Sequence, residues 1–159
     1  MNTGLFVTEA LPHPLTLDDL HQFLPHSMRL VRLTMSGKAL KEVLLEMLDV
    51  SAMLSGQNIR GMGFRGKRFG RLIFQGISFD RGSFYYGSTP VLDTESYSIV
   101  VPDQYLFAWY FPLLKKQEKA EILFPYFLRE IVANELKNEK MNNKRRGRGK
   151  CQKKLTNQN

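Results

Sequence analysis

Between Arg29 and Leu48 the hydrophobic spacing switches from two residues to about 3.6, and that switch limits what the chain can fold into. Val31, Leu33 and Met35 alternate with Arg32 and Thr34, the period of a strand with one buried face. Ser36-Gly37 then opens a helix on which Leu40, Val43, Leu44, Met47 and Leu48 form one stripe, with Lys38, Lys41, Glu42 and Glu46 on the other side. The stripe must be covered, and the strand before it is the nearest cover. The expected class is α/β (α+β), a mixed sheet packed with helices.

The flanking segments extend this unit. Thr16-Leu17-Asp18-Asp19 reads as an N-cap followed by first-turn acids, opening a short helix that Pro25 ends. Strands are expected at Leu72 to Phe79, Phe84 to Tyr86 and Tyr97 to Val101, with Asp80-Arg81-Gly82 turning the first hairpin and Pro90 and Asp93 marking the next loop. An aromatic run, Tyr105 to Phe111, follows Pro102. Phe127, Leu128, Ile131, Val132 and Leu136 then recur at helical spacing, with Pro125 placed in the first turn of that helix. Apolar periodicity ends after Asn138, which divides the chain into a folded domain, 1–138, and a basic tail, 139–159, expected to be disordered.

Charge follows the same division. The 159 residues carry a formal charge of +8, but eight of the 23 basic residues and one of the 15 acidic ones lie from Glu139 onward. The folded part is left close to neutral, so the excess charge is no argument for nucleic-acid binding by the domain. No apolar run approaches the ~18 residues of a membrane span. Met1 to Ala10 has neither a basic nor a continuous apolar segment, and the single cysteine, Cys151, permits no internal disulfide. A cytoplasmic location is expected.

Residues for a self-sufficient active site are scarce. The histidines are His13, His21 and His26, without ligand spacing to a carboxylate cluster. Asp18 and Asp19 are adjacent on a helix and point in different directions, so helix-dipole compensation accounts for them. No nucleophile elbow or Cys/His pair is present. The stretch 60–71 interleaves Arg60, Arg65, Lys67, Arg68 and Arg71 with Gly61, Gly63, Gly66 and Gly70, a composition that can bring backbone N–H groups and guanidinium forks to an anion. It lacks the Gly-Lys-Ser/Thr ending of a P-loop. Together with the tail it defines an alternative reading, a non-enzymatic anion or nucleic-acid binding module.

Four segments, in order, resemble the C-terminal, substrate-binding domain of the 5'-nucleotidase and UDP-sugar hydrolase family. Asn2-Thr3-Gly4 is similar to the Asn-x-Gly at which that domain begins. Leu17 to His26, LDDLHQFLPH, resembles its helix ending in Leu-Pro-Phe, and Val31 to Leu44, VRLTMSGKALKEVL, resembles its strand, turn and helix. Tyr97 to Leu106, YSIVVPDQYL, resembles the strand and loop that present an aromatic to substrate. The LPH and GFRGK wording is closest to the intracellular Gram-positive branch of metallophosphatases and 5'-nucleotidases.

The resemblance implies a nucleotide-recognition domain in which Asn2, His26 and Tyr105 bind substrate, His26 and Tyr105 as the two stacking rings. One residue of slippage would put Gln104 in place of Tyr105. Two departures stand out: the family's phosphate arginine falls near Val7, and its Gly-Gly-Asp-Gly segment is replaced by Phe107-Ala108-Trp109-Tyr110. No catalytic residue, metal ligand or cofactor is expected in this chain. Divalent metals belong to the family's N-terminal metallophosphatase domain, which is the expected partner together with a nucleotide or related phosphate ester. Neither a membrane nor nucleic acid is an expected partner. The chain reads as an excised domain, a truncated gene or half of a split protein, inactive by itself.

Overall fold

A computed structural model of the protein, which describes residues 15–58, 69–117 and 119–138, is built around the strand β1, Arg29–Ser36. Antiparallel neighbours flank it, β5 (Ser96–Pro102) on one side and β6 (Ala120–Phe127) on the other. Val31, Leu33 and Met35 are buried and Arg32 is exposed, the alternation that the sequence predicts. On the other face Arg32 pairs with Glu121 at 3.1 Å, and the hydroxyls of Thr34 and Ser98 meet at 3.0 Å.

Helix α2, Gly37–Leu54, follows β1 with no linker, and Ser36 ends the strand while capping the helix through Ala39 N–H at 3.3 Å. Leu40, Val43, Leu44, Met47, Val50 and Leu54 form its buried stripe, so the stripe runs beyond Leu48, which is half-buried. Loop 91–95 crosses its first turn: Gly37 and Lys38 N–H groups donate to the carbonyls of Glu95 and Asp93 at 2.8 and 3.2 Å, and Lys41 pairs with the Asp93 carboxylate at 2.8 Å. The backbone approach is so close that a Cβ on Gly37 would sit 1.9 Å from the Leu92 carbonyl oxygen.

Before β1, helix α1 (Leu17–Phe23) is held by a complete capping box. Asp19 N–H donates to the Thr16 hydroxyl at 3.1 Å, and Thr16 N–H returns to the Asp19 carboxylate at 2.9 Å. The Thr16 hydroxyl, which also donates to the Asp19 carboxylate, and then the Thr16 N–H hold the Asp19 pKa below its ordinary value.

A second antiparallel sheet contains β2 (Ile77–Asp80), β3 (Ser83–Tyr86) and β4 (Thr89–Pro90). Arg81 and Gly82 both have positive φ, 46° and 79°, as a two-residue primed hairpin turn requires. Three expectations change. The strand expected from Leu72 begins only at Ile77, because Leu72 turns into the core and residues 73–76 lack a ladder. Pro90, expected in a loop, pairs with Tyr85. Pro125, expected in the first turn of a helix, lies within β6.

The reason for the last is a bulge. Between Arg29↔Phe127 and Val31↔Ile122 the register slips, and Pro125 sits in the unpaired excess where its missing N–H costs no ladder bond. The final described helix, α4, covers 128–138. Phe127 N–H donates to the Glu130 carboxylate at 2.8 Å, half of a capping box at its start. The α+β class is what forms, and its four described strand pairs are antiparallel, which narrows the expected mixed sheet to antiparallel ladders.

Candidate ligand-facing loop

β1 starts where β5 ends, since Leu30 pairs with Pro102, and Arg29 pairs with Phe127 at the end of β6. The turn before β1, which carries His26, and the segment after β5, which carries Tyr105, are therefore brought to the same end of the sheet. His26 is half-buried, and its carbonyl accepts from Met28 N–H at 2.9 Å.

Tyr105 lies in a 3-10 turn, Asp103–Leu106, and is only 2% exposed. Its ring centroid is 5.2 Å from that of Phe111, itself fully buried. In this conformation the Tyr105 ring belongs to the core and presents no face to a ligand. Asn2 lies outside the described residues, as do Arg60 and residues 61–68 and 139–159. Of the glycine- and arginine-rich stretch, Phe69 is described and is a core anchor, 5.6 Å from Tyr110 edge to face, while Arg71 is exposed.

The segment after Tyr105 behaves differently. Ala108, Tyr110 and Phe111 point inward, whereas Phe107 and Trp109 are each 65% exposed. Phe107 and Ala108 N–H groups both donate to the Gln104 carbonyl at 3.1 Å, which closes the tip. Trp109 rests edge-on against Tyr110 at 5.4 Å, and Tyr110 against Phe111 at 4.8 Å. Burial raises the Tyr110 pKa, so its hydroxyl stays neutral. Two large aromatics thus stand in solvent, Trp109 on an aromatic base, and both offer surface suited to stacking on a flat ring.

The exposure of Phe107 and Trp109 was not readable from sequence. A run of consecutive aromatics has no period of two or 3.6, so nothing in it distinguishes inward from outward residues.

The far end of the loop is α3, Pro112–Lys115, a single turn. Its first two N–H groups, from Leu113 and Leu114, donate to the two carboxylate oxygens of Glu46 on α2 at 2.9 and 3.3 Å. Elsewhere, a small groove between α1 and α4 is lined mainly by Leu17, Leu20, Ala133 and Leu136, with Thr16 and Lys137 also at its walls. Among the described residues no group of three or more His, Cys, Asp or Glu is placed to hold a metal ion. No helix among those residues is long and apolar enough to cross a membrane.

Over 143 residues the chain is 29% identical to an uncharacterized metallophosphoesterase, YunD, of Bacillus subtilis strain 168. The match covers 84% of this chain and 30% of the relative, so the chain spans under a third of that protein's length. No protein-family model matches. A relation to the metallophosphoesterases is supported.

Proposed function

We propose that this chain is the substrate-recognition part of a 5'-nucleotidase-type metallophosphoesterase, and that it holds the base end of a nucleotide or related phosphate ester. The observation that carries this reading is the loop after β5, with Phe107 and Trp109 both exposed and Trp109 seated on a buried aromatic base. The relation to a metallophosphoesterase supplies the phosphate-ester half of the proposal. The ordered resemblance to the 5'-nucleotidase C-terminal domain supplies the nucleotide half.

Within this reading Asn2 and His26 are substrate contacts. Tyr105 supports the site from beneath, as the buried ring on which the loop is seated, and Phe107 and Trp109 provide the stacking surface. The loop binds and orients. Hydrolysis belongs to divalent metals held by a metallophosphatase domain, and no residue of this chain takes part in bond cleavage. A single cysteine among 159 residues suits a reducing compartment, and a cytoplasmic location belongs to the same proposal.

Trp109 is the only tryptophan, so its fluorescence reports the loop directly. Titration with AMP and UMP should quench it with saturation, while inorganic phosphate alone should leave it unchanged. Trp109→Ala and Phe107→Ala should weaken nucleotide binding, followed calorimetrically, by about 1–3 kcal/mol each, the usual worth of one base-stacking ring. Unchanged fluorescence at millimolar nucleotide would overturn the proposal.

A further inference from the structure

We propose that Glu46, on α2 and bonded to the far end of the aromatic loop, is the positioning residue for that loop. The inference rests on the reading of that loop as the ligand-binding element. A one-turn helix has little stability of its own, because nucleation fixes several residues for very few hydrogen bonds. α3 also lacks a local cap: its N-cap is Phe111, whose side chain accepts nothing, and Pro112 at the first position has no N–H.

The two orphan donors that remain in the first turn, Leu113 N–H and Leu114 N–H, are both taken by Glu46. A carboxylate 67 and 68 residues away in the chain does the work that a neighbouring Ser or Asp does in other helices. The bonds tie the far end of the loop to α2, the longest described helix, whose inner face is locked into the core. The near end is already fixed by β5, through Pro102 and the buried Tyr105.

With both ends held, Phe107 and Trp109 are presented in one arrangement before ligand arrives. Preorganisation of this kind lowers the ordering cost of binding. Glu46 is half-buried and directs both oxygens to backbone, so it contributes by holding the loop and not by touching ligand.

The test uses the full chain with Glu46→Gln and Glu46→Ala, and Glu42→Gln, exposed on the same helix, as control. Glu46→Gln keeps one carbonyl acceptor and should bind AMP severalfold more weakly than wild type, while Glu46→Ala should lose about tenfold. In the absence of ligand both should lower Trp109 fluorescence anisotropy and raise its quenching by acrylamide, with far-ultraviolet circular dichroism unchanged. Glu42→Gln should match wild type throughout.

Unchanged anisotropy and unchanged affinity in both Glu46 variants would overturn the proposal. So would a loss of thermal stability with AMP affinity and anisotropy intact, which is the mark of a purely structural contact. If Glu46→Ala does not fold, Glu46→Gln decides by the same readouts. A wild-type chain indifferent to AMP would defeat the nucleotide reading, and the ligand-free anisotropy would still show whether Glu46 holds the loop.

Discussion

At Gly37 a backbone carbonyl comes nearer than any side chain would permit. The contact is with Leu92, part of a loop that also feeds two carbonyls to the first turn of α2, and the loop is itself held by Leu92 N–H donating to the Tyr97 hydroxyl at 3.0 Å. The glycine is needed for closeness, since its φ is not in the left-handed region. Gly37→Ala must push loop 91–95 away from the helix and break the bonds from Gly37 and Lys38. A loss of about 1–3 kcal/mol is expected, read as a lower midpoint in urea. Serine at position 36 is a milder case: Ser36→Ala removes one cap bond and should cost about 1 kcal/mol by the same measurement.

The elements that were legible in the sequence are those whose signals are local. α1 carries its capping box within four residues, and β1 and α2 announce themselves by period and by the Ser36 cap between them. Pro125 misled because proline suits both a first helical turn and a bulge, and only the pairing of β6 with β1 decides between them. Leu72 misled because an apolar residue can enter the core from irregular backbone as well as from a strand. In the candidate site, the segment after β5 was found but its orientation was not: Tyr105 is inside, Phe107 and Trp109 outside.

The α1 cap gives a pH prediction at this scale. Asp19 has a depressed pKa in the folded chain, so its contribution is present above the unfolded value, near 3.8, and is lost as pH falls through the lower folded value. Amide protection in α1 should therefore fall in acid below that point, and Asp19→Asn should remove the step in a hydrogen-exchange series.

For the whole molecule, the proposed function implies that recognition and chemistry separate. The chain spans 30% of a metallophosphoesterase relative. Incubated with Mn²⁺ or Mg²⁺, the pure chain should not release phosphate from AMP. Joined to a metallophosphatase domain it should lower the KM of that domain for nucleotides while leaving small, ring-free phosphate esters unaffected. Robust turnover by the chain alone would contradict this division, and an unchanged KM would count against a recognition role.

The central position of β1 has a consequence for how the chain reaches this state. The strand is made early, at 29–36, yet its two neighbours are made at 96–102 and 120–127. Long intervening segments must close before either ladder forms, and such non-local pairing slows folding. A ribosome-bound chain therefore carries an amphipathic strand with both edges open until residue 102 has emerged and one edge open until residue 127 has, exposed to aggregation over that interval. α2, complete by Leu54 and apolar on one side, is the available temporary cover, so the strand-helix junction that organises the finished core would also act as its own chaperone during synthesis.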